Sequence, residues 1–132
     1  MIFVDTSAIL AVLDADDPHH AEADAIWQRL LASDEKLYSS NYVLVETFAL
    51  VQRRLGMEAV HAVEHEIVPL LDVFWMSADA HQVSVEAFLA ASRRSLSLVD
   101  CSSFEVMRRQ GLLRAFAFDR HYPEQGFELM TA

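Results

Sequence analysis

A chain of 132 residues with 20 Asp and Glu against 10 Lys and Arg has a formal net charge of −10. With 53% apolar residues, a mean hydropathy of +0.17, three glycines and three prolines, it is no disordered or fibrous chain but one helix-rich domain, residues 1–132. The acidity argues against broad electrostatic attachment to nucleic acid, no apolar run nears the ~18 residues of a membrane span, and one cysteine, Cys101, excludes an intrachain disulfide.

The charge is uneven. Residues 1–80 hold 14 acids and 4 basic residues, while the remaining residues hold 6 of each. An acidic half of this kind attracts a basic partner. The opening Met1-Ile2-Phe3-Val4 lacks the basic start and long apolar middle of a signal peptide, so a reducing cytoplasm is the expected setting.

Ile2–Val4 reads as a short strand whose unbroken apolar character suits a parallel sheet covered on both faces. Thr6 or Ser7 can cap a helix running to about Leu13. Asp14-Ala15-Asp16-Asp17-Pro18 breaks the pattern. Helical spacing returns from His19 to about Leu31, with Ala23, Ile26, Trp27, Leu30 and Leu31 as its buried stripe.

Leu37–Ser39 predicts a second strand. Ser40 or Asn41 then caps an apolar helix that stops near Leu55-Gly56. Further helices are expected over 57–71, 78–94 and 98–110, the last stopped at Gly111. Strands are expected over 73–76 and 115–118, with an edge strand over 127–130. Trp27, Phe48, Trp75, Phe88 and Phe104 fit core positions. Strands alternating with helices predict an α/β fold with a mostly parallel central sheet. In such sheets ligands sit beyond the carboxyl ends of the strands, and Asp5 and Asp119 each follow an apolar strand.

Most of the acids fall in polar loops or on solvated helix faces. Asp5, Glu46, Asp100 and Asp119 instead have apolar neighbours. Glu46 is the only charge in the run "NYVLVETFALVQ", and Asp100 follows Leu98-Val99 near a helix start. A buried carboxylate without a partner costs several kcal/mol or takes up a proton. Each has an ordinary explanation by itself: a cap for Asp5, a first-turn acid for Asp100, a turn for Asp119, an arginine partner for Glu46. Were they to converge, their repulsion would be offset by divalent cations, and oxygen-only ligands favour Mg²⁺ or Mn²⁺. Such a site suits metal-assisted phosphodiester hydrolysis.

Four segments, "FVDTSAILAVLD", "SSNYVLVETFALVQRRLG", "SLVDCSSFEVMRRQG" and "AFAFDRHYPEQGFEL", together resemble the PIN domain. More narrowly they resemble the VapC-type toxins of bacterial and archaeal toxin–antitoxin pairs, over essentially the whole chain. The resemblance implies a three-layer α/β/α sandwich and a divalent-metal-dependent endoribonuclease. It also implies an RNA substrate, a cognate antitoxin and a homodimer. Asp5, Glu46, Asp100 and Asp119 match the family's four catalytic, metal-binding acids, with Mg²⁺ the expected ion and Mn²⁺ a substitute. Thr6 or Ser7 matches the supporting hydroxyl, Ser7 being preferred. The stretch "DCSSFE" is more polar than is usual after the third acid, which implies altered substrate contacts or packing.

Two other readings stay open. One is a PIN-like module that works by docking a partner with little or no nuclease activity. The other is an aspartate-based phosphatase, although that chemistry wants a second aspartate where Ser7 stands. Among the remaining features, the pairs Arg53-Arg54, Arg93-Arg94 and Arg108-Arg109 could hold RNA phosphates, although each lies at or near a helix end, where positive charge is favoured anyway. Arg120, beside Asp119, is the candidate RNA contact. His61 and His65 are four apart but lack the HExxH pattern and read as a solvated face. His19-His20 caps or decorates a helix, His121 reads as structural with proton transfer as its alternative, and Cys101 is a packed thiol.

Overall fold

Ile2, Phe3 and Val4 are completely buried, and successive side chains of this strand enter different cores. Ile2 and Val4 pack with Ala8, Ile9, Ile26, Trp27, Val51 and Phe116, whereas Phe3 packs with Phe104, Met107, Ala115 and Tyr122. That division explains the unbroken apolar run: a central strand with helices on both faces has no polar side. The computed structural model describes residues 1–132.

Five strands form the sheet: β1 (Ile2–Val4), β2 (Leu37–Ser40), β3 (Leu71–Phe74), β4 (Arg114–Phe116) and β5 (Glu128–Leu129). All pair in parallel, in the order β3-β2-β1-β4-β5. Seven helices accompany them: α1 (Thr6–Leu13), α2 (His20–Leu31), α3 (Asn41–Leu55), α4 (Met57–Ala62), α5 (Ala78–Ala91), α6 (Leu98–Gln110) and α7 (His121–Glu124). The expected three-layer α/β/α sandwich with a parallel sheet is the one observed. No helix is long and apolar enough to cross a membrane.

The strand order reverses at β1. The chain steps outward from β1 to β2 to β3, then returns to place β4 on the other side of β1. The crevice beyond the carboxyl ends of β1 and β4 is the switch point at which open parallel sheets bind ligands.

Several local boundaries differ from expectation, each for a visible reason. Asp5 caps α1 in place of Thr6 or Ser7, its carboxylate accepting the Ser7 N–H at 3.1 Å. Helix α3 keeps its expected bounds: Ser40 caps it through the Val43 N–H, and Gly56 ends it at φ +89°, a conformation that favours glycine. The helix expected to reach Leu71 widens after Ala62 into a π-helical turn over Val63–Ile67. It then tightens into a 3-10 turn around Pro69. Val63 and Ile67 are both buried.

The third strand consequently begins at Leu71, two residues early, and Trp75 lies beyond it, 72% exposed instead of packed. Leu31, expected in the buried stripe of α2, is also exposed. Helix α5 stops at Ala91, where Ser92 takes a left-handed conformation, rather than at Arg94. Strand β4 ends at Phe116 because the Phe118 N–H leaves the sheet to bond the Ser7 hydroxyl. Helix α7 was not foreseen; at four residues it is too short to leave a periodic signal.

Candidate active site

Asp5 has almost no contact with solvent and is held by three donors. Its Oδ2 accepts the Ser7 N–H at 3.1 Å and the Ser7 hydroxyl at 2.6 Å, and its Oδ1 accepts the Tyr122 hydroxyl at 3.0 Å. Burial pushes the Asp5 carboxyl above its ordinary range; the Ser7 and Tyr122 bonds oppose that, and the charge of Asp119 adds to it. Tyr122 is fully buried, and burial together with the charge of Asp5 lifts its phenol well above 10. It therefore stays a donor at neutral pH.

Ser7 does more than hold Asp5. Its oxygen also accepts the Phe118 N–H at 2.9 Å, so one hydroxyl ties the start of α1 to the segment that carries Asp119. The Thr6 hydroxyl turns to α3, lying 3.3 Å from the Val43 carbonyl and 3.1 Å from the Thr47 hydroxyl.

Helix α3 brings Glu46 to the same place. Burial raises its carboxyl, the Thr6 hydroxyl beside it pulls the other way, and the charges of Asp5 and Asp100 raise it further. Asp100 sits at the third position of α6 in a capping box. Its backbone N–H donates to the Ser97 hydroxyl at 3.0 Å, and its Oδ2 accepts the Ser97 N–H at 2.9 Å. Burial also raises Asp100, against the Ser97 N–H, and Asp119 and Asp5 contribute through their charges.

Asp119 follows β4 and accepts the His121 N–H at 2.9 Å. The His121 ring nitrogen Nδ1 is buried and lies 2.7 Å from the same Asp119 oxygen, without the geometry of a hydrogen bond. Donor atoms of Asp100, Asp119 and His121 lie within 4.8 Å of one another.

All four sequence-predicted acids thus line one cleft of about 300 Å³, together with Thr6 and Ser7. Arg120 does not line it; it is exposed just before α7 and makes no ion pair with the acids. The cation on the cleft wall is Arg54, from the end of α3. His19, Asp17, Leu10, Leu50 and Phe118 complete the wall. Arg54 belongs to one of the arginine pairs that could hold RNA phosphates, whereas Tyr122 and His19 have no expected site role; for His19 the available signal is the acidic loop before α2.

The other basic and sulfur groups have ordinary roles. Arg93 pairs with Glu124 at 3.0 Å and Arg109 with Asp79 at 2.8 Å. Arg108 bonds Gln125 and lies over the Phe127 ring. Burial, then the charge of Asp100, raises the Cys101 thiol, which makes it a poor nucleophile. Cys101, Ser102 and Ser103 are buried, so the polar stretch after Asp100 serves packing and not the cleft.

The PIN domain family model matches residues 2–128. The 23S rRNA-specific endonuclease VapC20 of Mycobacterium tuberculosis is 36% identical over 128 residues, covering 96% of this chain and 95% of that protein. The crystal structure of VapC20, described as a sarcin–ricin loop cleaving toxin, matches over 100% of both chains with a TM-score of 0.89 and 32% identity. DNA-bound VapBC from Salmonella typhimurium shares the fold, at a TM-score of 0.68 and 15% identity over 98% of each chain. With the parallel sheet, the acid-lined switch-point cleft and these matches in hand, the chain belongs to the PIN domain family.

Proposed function

We propose that this chain is a divalent-metal-dependent endoribonuclease, a single nuclease domain over residues 1–132, acting as the toxin of a toxin–antitoxin pair. The observation that carries the reading is the gathering of Asp5, Glu46, Asp100 and Asp119 around one cleft at the β1/β4 switch point. Three of these acids have carboxyls raised by burial and by one another's charge. Such a cluster is under electrostatic stress that a doubly charged cation relieves.

The residues fit a metal ion. Asp5, Glu46, Asp100 and Asp119, which line the cleft together, would hold it, and donor atoms of Asp100, Asp119 and His121 lie within 4.8 Å of one another. Mg²⁺ or Mn²⁺, when bound, supplies charge neutralisation at the scissile phosphate and a more acidic water. The chain's own residues do the rest. Ser7 and Tyr122 fix both oxygens of Asp5, so its orientation needs no rearrangement during the reaction. Ser97 fixes Asp100. Ser7, two residues after Asp5, has its oxygen committed to Asp5 and Phe118, and this argues against the aspartate-based phosphatase reading.

By likeness to VapC20, 23S rRNA is the first RNA to try. The partner is an antitoxin whose basic segment is drawn to the acidic cleft, where an arginine competes with the metal. A reducing cytoplasm, where ribosomes reside, is the place of action. The test is cleavage of 23S rRNA by purified chain in Mn²⁺ or Mg²⁺. Cleavage stops with a chelator and is absent for Asp5→Asn, which still folds. Equal cleavage by that variant and the wild type would refute the assignment.

A further inference from the structure

The cleft has an aromatic wall as well as acids. The His19 and Phe118 rings are stacked, with centroids 4.5 Å apart and planes 12° from parallel, and both residues line the cleft. That spacing leaves no room for a third ring between them. His19 is exposed while Phe118 is partly buried, so the open aromatic face of the pair belongs to the histidine.

The stack is held in place from both sides. The His19 N–H donates to the Asp17 carboxylate at 2.8 Å, and the neighbouring His20 ring bonds the Ala11 carbonyl at 2.7 Å. On the other side the Phe118 N–H bonds the Ser7 hydroxyl, which bonds Asp5. Two consecutive hydrogen bonds therefore connect the aromatic pair to the carboxylate at the centre of the site.

Charge cannot do the work of gripping RNA here. Five carboxylates line the cleft, those of Asp5, Asp17, Glu46, Asp100 and Asp119, against the one guanidinium of Arg54. An uncharged contact is needed, and stacking on an aromatic ring is sequence-tolerant because every base has a π-face. We propose that the His19 ring, backed by Phe118, is the platform on which a nucleobase flanking the scissile phosphate stacks. The proposal rests on the endoribonuclease reading. It makes His19 a substrate-positioning residue and requires a target whose base is already splayed out, as in a loop.

The experiment uses a hairpin RNA of the 23S sarcin–ricin loop, with 2-aminopurine placed in turn on each side of the position the wild type cuts. Uncut RNA is bound to Asp5→Asn protein. One placement should show quenched fluorescence, which His19→Ala in that background abolishes and His19→Phe restores. In the cleaving enzyme, His19→Ala should raise KM about ten-fold or more with little change in kcat, and Phe118→Leu should act in the same direction. An abasic nucleotide at the quenched position should make wild type and His19→Ala equal. Unchanged KM in His19→Ala, or His19→Phe behaving like His19→Ala, overturns the platform while leaving the nuclease reading intact. A wild type that cuts no RNA overturns both.

Discussion

Tyr122 and Asp5 are 117 residues apart in the chain, yet the phenol donates to the carboxylate at 3.0 Å in a fully buried setting. Removing that donor leaves a buried carboxylate oxygen without its partner. Tyr122→Phe should lower stability by about 1–3 kcal/mol, raise the Asp5 carboxyl further and slow cleavage. Denaturant unfolding and single-turnover rates check this. A variant as stable and as active as wild type would mean that Ser7 alone holds Asp5.

Ser7→Ala removes two bonds, to Asp5 at 2.6 Å and from Phe118 at 2.9 Å. The expected loss is about 2 kcal/mol or more, since one lost bond serves a charged group and the other leaves a backbone N–H unpaired. Thr6→Ala should leave Asp5 in place, because its hydroxyl faces α3. Comparison of the two variants for RNA cleavage and melting temperature separates the hydroxyls that the sequence offered as alternatives.

The metal-free protein should lose stability as pH rises. Asp5, Glu46 and Asp100 bind protons more tightly folded than unfolded, so their protonated forms favour folding. That contribution is complete below the ordinary values of 3.8 and 4.5 and fades as pH climbs through the raised folded values. Glu35 and Glu124, lowered mainly by hydrogen bonds from the amino terminus and from Arg93, act oppositely, and their contribution is lost only on going below 4.5. Melting temperatures in chelator should therefore decline as pH rises from the ordinary carboxyl value of 4.5. Saturating Mn²⁺ should flatten or reverse the trend, since it binds the ionised acids. A pH-independent melting temperature with no response to Mn²⁺ would dismiss the shared cation.

The capping box on α6 is both a helix start and a mount for Asp100. Ser97→Ala deletes the side-chain half, costing about 1 kcal/mol, while the backbone N–H of residue 97 still holds the Asp100 carboxylate. Stability should fall with activity largely kept. Asp100→Asn should abolish cleavage while folding normally. A Ser97→Ala enzyme as inactive as Asp100→Asn would show that the cap hydroxyl is needed to aim the acid.

The local rules carried far along this chain where one signal sufficed. The apolar run before Asp5, the Ser40 cap with the Gly56 stop, and the span Leu98–Gln110 ending at Gly111 all stand as read, because strand burial, capping and left-handed glycine are properties of a few consecutive residues. They failed where neighbours far off decide. The helix expected to reach Leu71 gives way to a π-helical turn at Val63–Ile67, β3 begins at Leu71, and Trp75 lies in solvent.

Residue order alone marks the four acids as anomalies, because charge amid apolar residues is costly wherever it lies. It likewise carries the alternation that makes a parallel sheet. The folded chain adds that those acids share one cleft, that Tyr122 and Ser7 hold the first of them, and that Arg54, not Arg120, is the cation beside them. Burial and hydrogen bonding between residues a hundred positions apart depend on how strands are ordered and helices docked, and no local pattern encodes that order.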